Sequence, residues 1–232
     1  MKNINNIQKL FLIFLFISTF ILINFEAAIA SEPVYNQQIK KIMKRQQEIK
    51  NFQTDANLEI KIFSGQKSTF NFQYFYHEPD LVHLETNDFV LLPTEPLKSL
   101  EPSFLKLENY NINCLNKKDK NSLKIYELHP IKKKESNYYI KIWIDISKNQ
   151  IEKAVIFFHI PAYEKEFSLN VNYKEISGYS MPITIQGNIA IPAKFGMKGK
   201  IKEFNRGYFD LKLKNYKINQ GFSPNIMKKL KN

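Results

Sequence analysis

Asp55-Ala56-Asn57-Leu58-Glu59-Ile60-Lys61-Ile62, then Ser64-Gly65, then Thr69-Phe70-Asn71-Phe72-Gln73-Tyr74-Phe75-Tyr76: these residues decide the fold. In the first run Ala56, Leu58, Ile60 and Ile62 alternate with Asp55, Asn57, Glu59 and Lys61. In the second, Phe70, Phe72, Tyr74 and Tyr76 alternate with Thr69, Asn71 and Gln73. A period of two is a strand with one apolar and one polar face. The serine-glycine pair between the runs turns the chain back, so the unit reads as an antiparallel hairpin.

Upstream the period changes to 3.6. Tyr35, Ile39, Ile42, Met43 and Ile49 recur at helical spacing, with Lys40, Lys41, Lys44, Arg45 and Glu48 between them. This is a basic helix with one apolar stripe, opened by Pro33 and running to about Lys50. Downstream the period of two returns. Strands are expected at 81–85, 89–92, 110–115, 123–129, 138–146, 151–159, 167–177, 181–191, 197–204 and 208–216. His77-Glu78-Pro79-Asp80, Lys148-Asn149, Ser177-Gly178 and Arg206-Gly207 supply turns. Pro93, Pro96 and Pro102 interrupt the series, and Leu97, Leu100, Phe104, Leu105 and Leu107 suggest short helical turns or an apolar loop. Ser223 caps a short terminal helix with Pro224 at its first position. The order is helix, about a dozen strands, helix. With no alternation of strand and helix, the sheet must be antiparallel, and so many strands curl strongly or close.

The first 30 residues read as an export signal. Lys2 and Lys9 precede an apolar run, Leu10–Ile23, in which only Ser18 and Thr19 are not strongly apolar, and Ala28-Ile29-Ala30 offers a small-x-small cleavage site. The run is short for a membrane span, which needs roughly 20 residues. No cysteine follows the cleavage point, so lipid attachment there is not expected. The mature chain is then residues 31–232, one domain. Cys114 is the only cysteine, so no internal disulfide forms and the fold rests on its core; on a strand pattern this thiol reads as a small buried hydrophobe. The net charge is +12, nearly all of it outside the signal. Export argues against nucleic acid as its explanation, leaving a solvated surface, anionic headgroups or acidic envelope polymers.

Chemistry is sparse. His77, Glu78, Asp80 and His83 have ligand-like spacing, but Pro79 places them at a turn, where such residues are ordinary, so no metal is expected. His129 and His159 stand alone in strand patterns. No nucleophile elbow, zinc-protease motif or phosphate-cradling glycine loop is present. Neither an enzyme nor a cofactor is expected. What stands out is aromatic: 19 Phe and 12 Tyr, many on one alternation of the strands. They fit either a filled core or a curved face lined for an oily ligand and lidded by the helix or by segment 93–109. In the second case Ile39, Met43, Leu58, Ile60, Ile62, Phe70, Phe72, Tyr74, Ile142, Ile144, Ile156 and Phe158 would line it.

The order of elements resembles the LolA-like family of periplasmic lipoprotein carriers. Ile49-Lys50-Asn51-Phe52-Gln53-Thr54-Asp55-Ala56 is similar to that family's passage from helix to first strand. Phe72 to Val82 resembles its second strand, Pro-Asp turn and third strand, and Ile142-Trp143-Ile144-Asp145 with Ile151–Phe158 its central hairpin. Gly178-Tyr179-Ser180-Met181-Pro182 and Asn215 to Phe222 also fit. The resemblance implies an incomplete antiparallel barrel, with helices over its concave side and a cavity for acyl chains. It implies no cofactor, and a monomer shuttling lipoproteins or lipids from an inner-membrane donor to an outer-membrane acceptor. The family's lid is held by an arginine on an early strand; here the two arginines are Arg45 and Arg206, so that latch is missing. The same architecture serves envelope-stress sensors that bind lipid or protein, the alternative role.

Overall fold

A computed structural model describes residues 34–86, 97, 99–115, 122–131, 138–160, 165–195 and 201–231. The expected signal and the expected strand at 89–92 lie outside them. The described residues from Ile39 onward form one compact unit.

Helix α1 is Val34–Gln46. The strands are β1 (Asn51–Ile62), β2 (Lys67–His77), β3 (Leu81–Glu85), β4 (Tyr110–Cys114), β5 (Leu123–Pro130), β6 (Tyr138–Asp145), β7 (Gln150–Ile160), β8 (Lys165–Ile176), β9 (Tyr179–Phe195) and β10 (Ile201–Ile218). Helix α2 is Pro224–Lys231. All ten strands belong to one antiparallel sheet in the order β3-β2-β1-β10-β9-β8-β7-β6-β5-β4. The sheet is not closed: β3 and β4 are its edges. The connection between those edges carries the proline-interrupted segment, which forms 3-10 turns at Pro102–Leu105 and Leu107–Asn109.

Among the described residues there are ten strands where about a dozen are expected, and the expected one at 89–92 lies outside them. The runs at 197–204 and 208–216 are parts of one strand, β10, and Arg206-Gly207 is not a turn. Gly207 pairs with Ile62, and a Cβ there would lie 2.1 Å from the Lys61 carbonyl oxygen. The glycine permits close strand approach instead of reversal. The other turns stand. Ser177 and Gly178 both have positive φ, 54° and 83°, the backbone of a two-residue hairpin turn. Asn149, at 54°, does the same work between β6 and β7.

That β6–β7 turn is fastened by Asp145. Its Oδ1 accepts from the Ser147 hydroxyl at 2.6 Å and from the Ser147 and Lys148 backbone N–H groups. The Ser147 hydroxyl, then Lys148, hold the carboxyl at about 2 although burial opposes them. A depressed carboxyl contributes stability above its unfolded value, near 3.8, and loses it as pH falls through about 2. Asp145→Ala should therefore cost roughly 1–2 kcal/mol at neutral pH, and the gap from the parent protein should shrink as pH falls from about 4 to about 2. Urea unfolding over that range measures it; a gap that stays constant with pH contradicts it.

Helix α1 ends sooner than expected, at Gln46 instead of about Lys50. Asn219 takes over where it stops. Its side-chain oxygen accepts from the Lys50 N–H at 2.7 Å and the Asn51 N–H at 3.3 Å, and its amide donates to the Glu48 carbonyl at 3.2 Å. Asn51 in turn accepts from the Gly221 N–H at 2.9 Å. The passage from α1 to β1 is thereby bonded to the end of β10.

Candidate functional site: the apolar face of the sheet

The register carries one row of apolar side chains across nine strands. Phe70 lies opposite Leu58, which lies opposite Leu211, and the row continues through Ile185, Val171, Ala154, Ile142 and Tyr126 to Cys114. A second row runs Ile60, Phe209, Gly187, Leu169, Ile156, Ile140, Leu128 and Ile112. Opposite residues in a pair project to the same side, so both rows lie on one face. At about 4.8 Å per strand, nine strands make it roughly 40 Å wide.

The sequence-derived lining residues of the sheet share this face. Leu58, Phe72, Tyr74, Ile142, Ile144 and Ile156 are buried on it; Ile60, Ile62, Phe70 and Phe158 are half-buried. On α1, Ile39 and Met43 are buried together with Ile42. Alternation alone also points to residues left out of that set: Leu169 and Val171, Phe209, Leu211 and Leu213, and Ile185. Phe52 is another, at the foot of β1, where its ring packs 5.7 Å from Tyr74, 5.3 Å from Tyr76 and 5.7 Å from Tyr216.

Three tyrosine hydroxyls around this face donate to backbone carbonyls. Tyr76 bonds Pro79 at 3.0 Å, Tyr216 bonds Pro182 at 2.6 Å and Tyr110 bonds Phe104 at 2.7 Å. The Tyr74 hydroxyl does not: it is buried without a hydrogen-bond partner. Burial, and after it the charge of Glu101, drive its ionisation far above the ordinary range, so it is a neutral donor in an apolar setting.

Two described segments cover parts of the face. The segment between the edge strands places Leu100 and Leu105 inward, and Phe104 stacks on Tyr138 at 6.0 Å. The end of α1 packs closely: Gln46, Ile49, Leu100, Leu105, Ile151 and Tyr173 are among the residues bounding a slit of about 20 Å³, room for about one water. Arg45 extends from α1 over the β8–β9 turn, 6.0 Å from the Tyr179 ring centre. A helix is about 10 Å across, so α1 alone cannot blanket a 40 Å face.

The remaining polar candidates do not converge. His77 lies beside Phe222, Glu78 pairs with Lys50 at 2.6 Å, and His83 packs against Phe75. Among the described residues no group of three His, Cys, Asp or Glu could hold a metal. His129 is on the opposite face, stacked on Tyr139 and 3.3 Å from Glu127. Cys114 is buried opposite Tyr126, as a small hydrophobe would be. Trp143 projects away from the apolar rows, beneath Lys153 at 5.5 Å.

No protein-family model matches the chain, and no curated protein matches it. Solved structures do. A DUF1329 family protein from Desulfovibrio piger is 13% identical, with 83% of this chain and 96% of that one covered and a TM-score of 0.49. A domain described as an outer membrane lipoprotein-sorting protein, from Vibrio parahaemolyticus, is 15% identical, with 84% and 97% covered and a TM-score of 0.49. A LolA superfamily protein from Nitrosomonas europaea is 14% identical, with 81% and 96% covered and a TM-score of 0.46. The chain thus matches structures of the LolA superfamily and of DUF1329 along most of its length, at low identity.

Proposed function

We propose that this chain is an exported, non-enzymatic carrier of acyl chains. Residues 1–30 direct export to the periplasm and are removed. The mature domain, 31–232, then takes up the acyl chains of lipoproteins or lipids on the apolar face and shuttles them toward the outer membrane. An inner-membrane donor and an outer-membrane acceptor would be its protein partners. The observation that carries this reading is the face itself: two apolar rows cross eight or nine strands of a single open sheet, with no second sheet among the described residues. A sandwich of this width would need an equal sheet opposite. An acyl chain supplies flexible methylenes, each worth about 0.8 kcal/mol when buried, and α1 and the 100–105 turns are the movable cover. Lysines around the sheet suit anionic headgroups.

Native mass spectrometry of protein from the envelope fraction should show co-purifying lipid, and a fluorescent fatty acid should bind saturably. The bare protein mass together with no probe binding would falsify the proposal. Tyr74→Phe adds a sharper test. A buried hydroxyl without a partner costs roughly 1–3 kcal/mol, so the ligand-free variant should gain about 1 kcal/mol in urea unfolding. If Tyr74 donates to the ligand's carbonyl or carboxylate, the same variant should bind the probe several-fold more weakly. A loss of stability contradicts the first part, and unchanged probe affinity the second.

The closely packed slit at the end of α1 favours one other reading, a binding or regulatory module that uses the sheet for a protein partner. Absence of lipid with retention of a specific envelope protein would support it.

A further inference from the structure

The 12 residues of β1 carry the chain from the end of α1 to a hairpin tip, about 40 Å away. The Ile62 N–H donates to the Gln66 carbonyl at 2.8 Å and the Gly65 N–H to the Ile62 carbonyl at 2.9 Å, with Gly65 at a φ of 97°. The Phe63 N–H is tied across to β10, donating to the Arg206 carbonyl at 2.8 Å. A bonded turn therefore holds residues 63–69 outward, all of them exposed. Phe63 is 71% exposed, the highest value for a large apolar side chain among the described residues.

A single exposed apolar residue is ordinary. Two features set Phe63 apart. The first is charge. Lys61 and Lys67 flank it in the chain, and Arg206, also exposed, adjoins it through the backbone bond. Lys61 and Lys67 share Glu59, at 2.9 and 2.7 Å, and no other acidic residue occurs before Glu78. Three cations against one carboxylate leave the tip positive. The second is where the apolar face opens. A third row lies nearest the tip: Tyr138 faces Phe158, which faces Phe167, and Ile189 faces Gly207, which faces Ile62. Every side chain in this row is half-buried, whereas Leu169, Ile156 and Ile140, one row further in, are buried. The face is least covered at the end where Phe63 projects.

An aromatic ring at the head of a cationic turn suits an anionic bilayer: the ring enters the boundary between headgroups and acyl chains while the cations meet phosphates. A second copy of the chain would set cations against cations. A bilayer also accounts for the third row. With the tip docked, the open end of the apolar face adjoins the acyl region, and a chain passes between two apolar surroundings without crossing water. We propose that the β1–β2 tip docks this protein on an anionic phospholipid bilayer, with Phe63 entering the interface. The transfer that docking serves rests on the acyl-chain reading; the docking itself does not.

The test is sedimentation of protein, purified from the envelope fraction of cells expressing the full chain, with vesicles of phosphatidylcholine alone or mixed equally with phosphatidylglycerol. The protein should sediment with the mixed vesicles and bind the neutral ones about tenfold more weakly. Phe63→Ser should weaken binding to the mixed vesicles about tenfold and leave the urea midpoint unchanged, because the side chain is exposed. Lys67→Ser should weaken it about fivefold. Phe63→Trp should bind as the parent does, and its added emission should move to the blue when vesicles are present. The proposal is overturned if the parent does not sediment with the mixed vesicles, if Phe63→Ser binds as well as the parent, or if neutral vesicles bind equally. It is also overturned if Phe63→Ser abolishes a dimer of the parent and vesicles bind neither. A fluorescent fatty acid should bind Phe63→Ser in solution as it binds the parent, and should pass to mixed vesicles about tenfold more slowly. Loss of vesicle binding alone overturns the docking, and absence of fatty-acid binding alone overturns the acyl-chain reading, so the two fail separately.

Discussion

Gly207→Ala should lower the unfolding free energy by about 3 kcal/mol, the upper end for forcing atoms into a close-packed position. The added Cβ would meet the Lys61 carbonyl oxygen at 2.1 Å and the Ile62 Cα at 3.0 Å. Both are backbone atoms, so no side-chain rotation relieves the clash. The strands must separate there, and this pairing holds the sheet together: among the described strands, β3, β2 and β1 pair with the other seven only through β1 and β10. The ladder runs from Ile62–Gly207 to Phe52–Ile218. Losing its upper end exposes Ile60 and Phe209, which face each other at the next apolar position. Urea unfolding should show the lower midpoint, and hydrogen exchange should show lost protection in β1 and the facing part of β10 before β5 or β6. A variant within about 0.5 kcal/mol of the parent, or uniform loss of protection, would contradict this.

The same glycine shows why part of the fold was legible and part was not. A period of two is local, so the faces of β1, β2, β6 and β7 follow from their own residues, and Leu58, Phe72, Ile142 and Ile156 lie on the face assigned to them. Ser177-Gly178 was legible as a turn because positive φ at two adjacent residues is a local demand. Arg206-Gly207, between two alternating runs, looks the same in sequence. Its role is set by Lys61, far away in the chain, and no local pattern contains that information. Phe75 is a second case. It breaks the alternation of β2 by being buried on the other face, where Phe222 packs edge-on at 5.7 Å and α2 docks through Lys229 and Glu85. The partner comes from the chain terminus, so the exception could not be read from β2 itself. The end of α1 is a third, because Asn219 supplies the bonds that replace the helix. For the candidate site, the apolar side of each strand was local information. The continuity of the rows depended on strand order and register, above all on β1 meeting β10.

Phe209→Ala should cost about 4 kcal/mol in the ligand-free protein, as expected for deleting a buried aromatic ring without full collapse around it. Phe209 is 1% exposed and faces Ile60 on one side and Gly187 on the other. Gly187 has no side chain to fill the gap: a Cβ there would already touch Leu169 and the Phe209 ring. The variant therefore opens a void in the second apolar row, and the void separates the two readings of this face. If the face is a filled core, a fatty acid has no place there and leaves the melting temperature of both proteins unchanged. If the face receives acyl chains, a probe at about 100 times its dissociation constant stabilises the parent by about 2.7 kcal/mol. It should then stabilise Phe209→Ala more, because each methylene entering the void adds about 0.8 kcal/mol. The variant would be the less stable protein alone and the more strongly rescued one with ligand. A methylene supplied by the ligand replaces apolar contact that the ring gave, which no carboxylate or amide ligand can do. Equal rescue of parent and variant would place the acyl chain away from Phe209, and no rescue of either would leave the face to a protein partner.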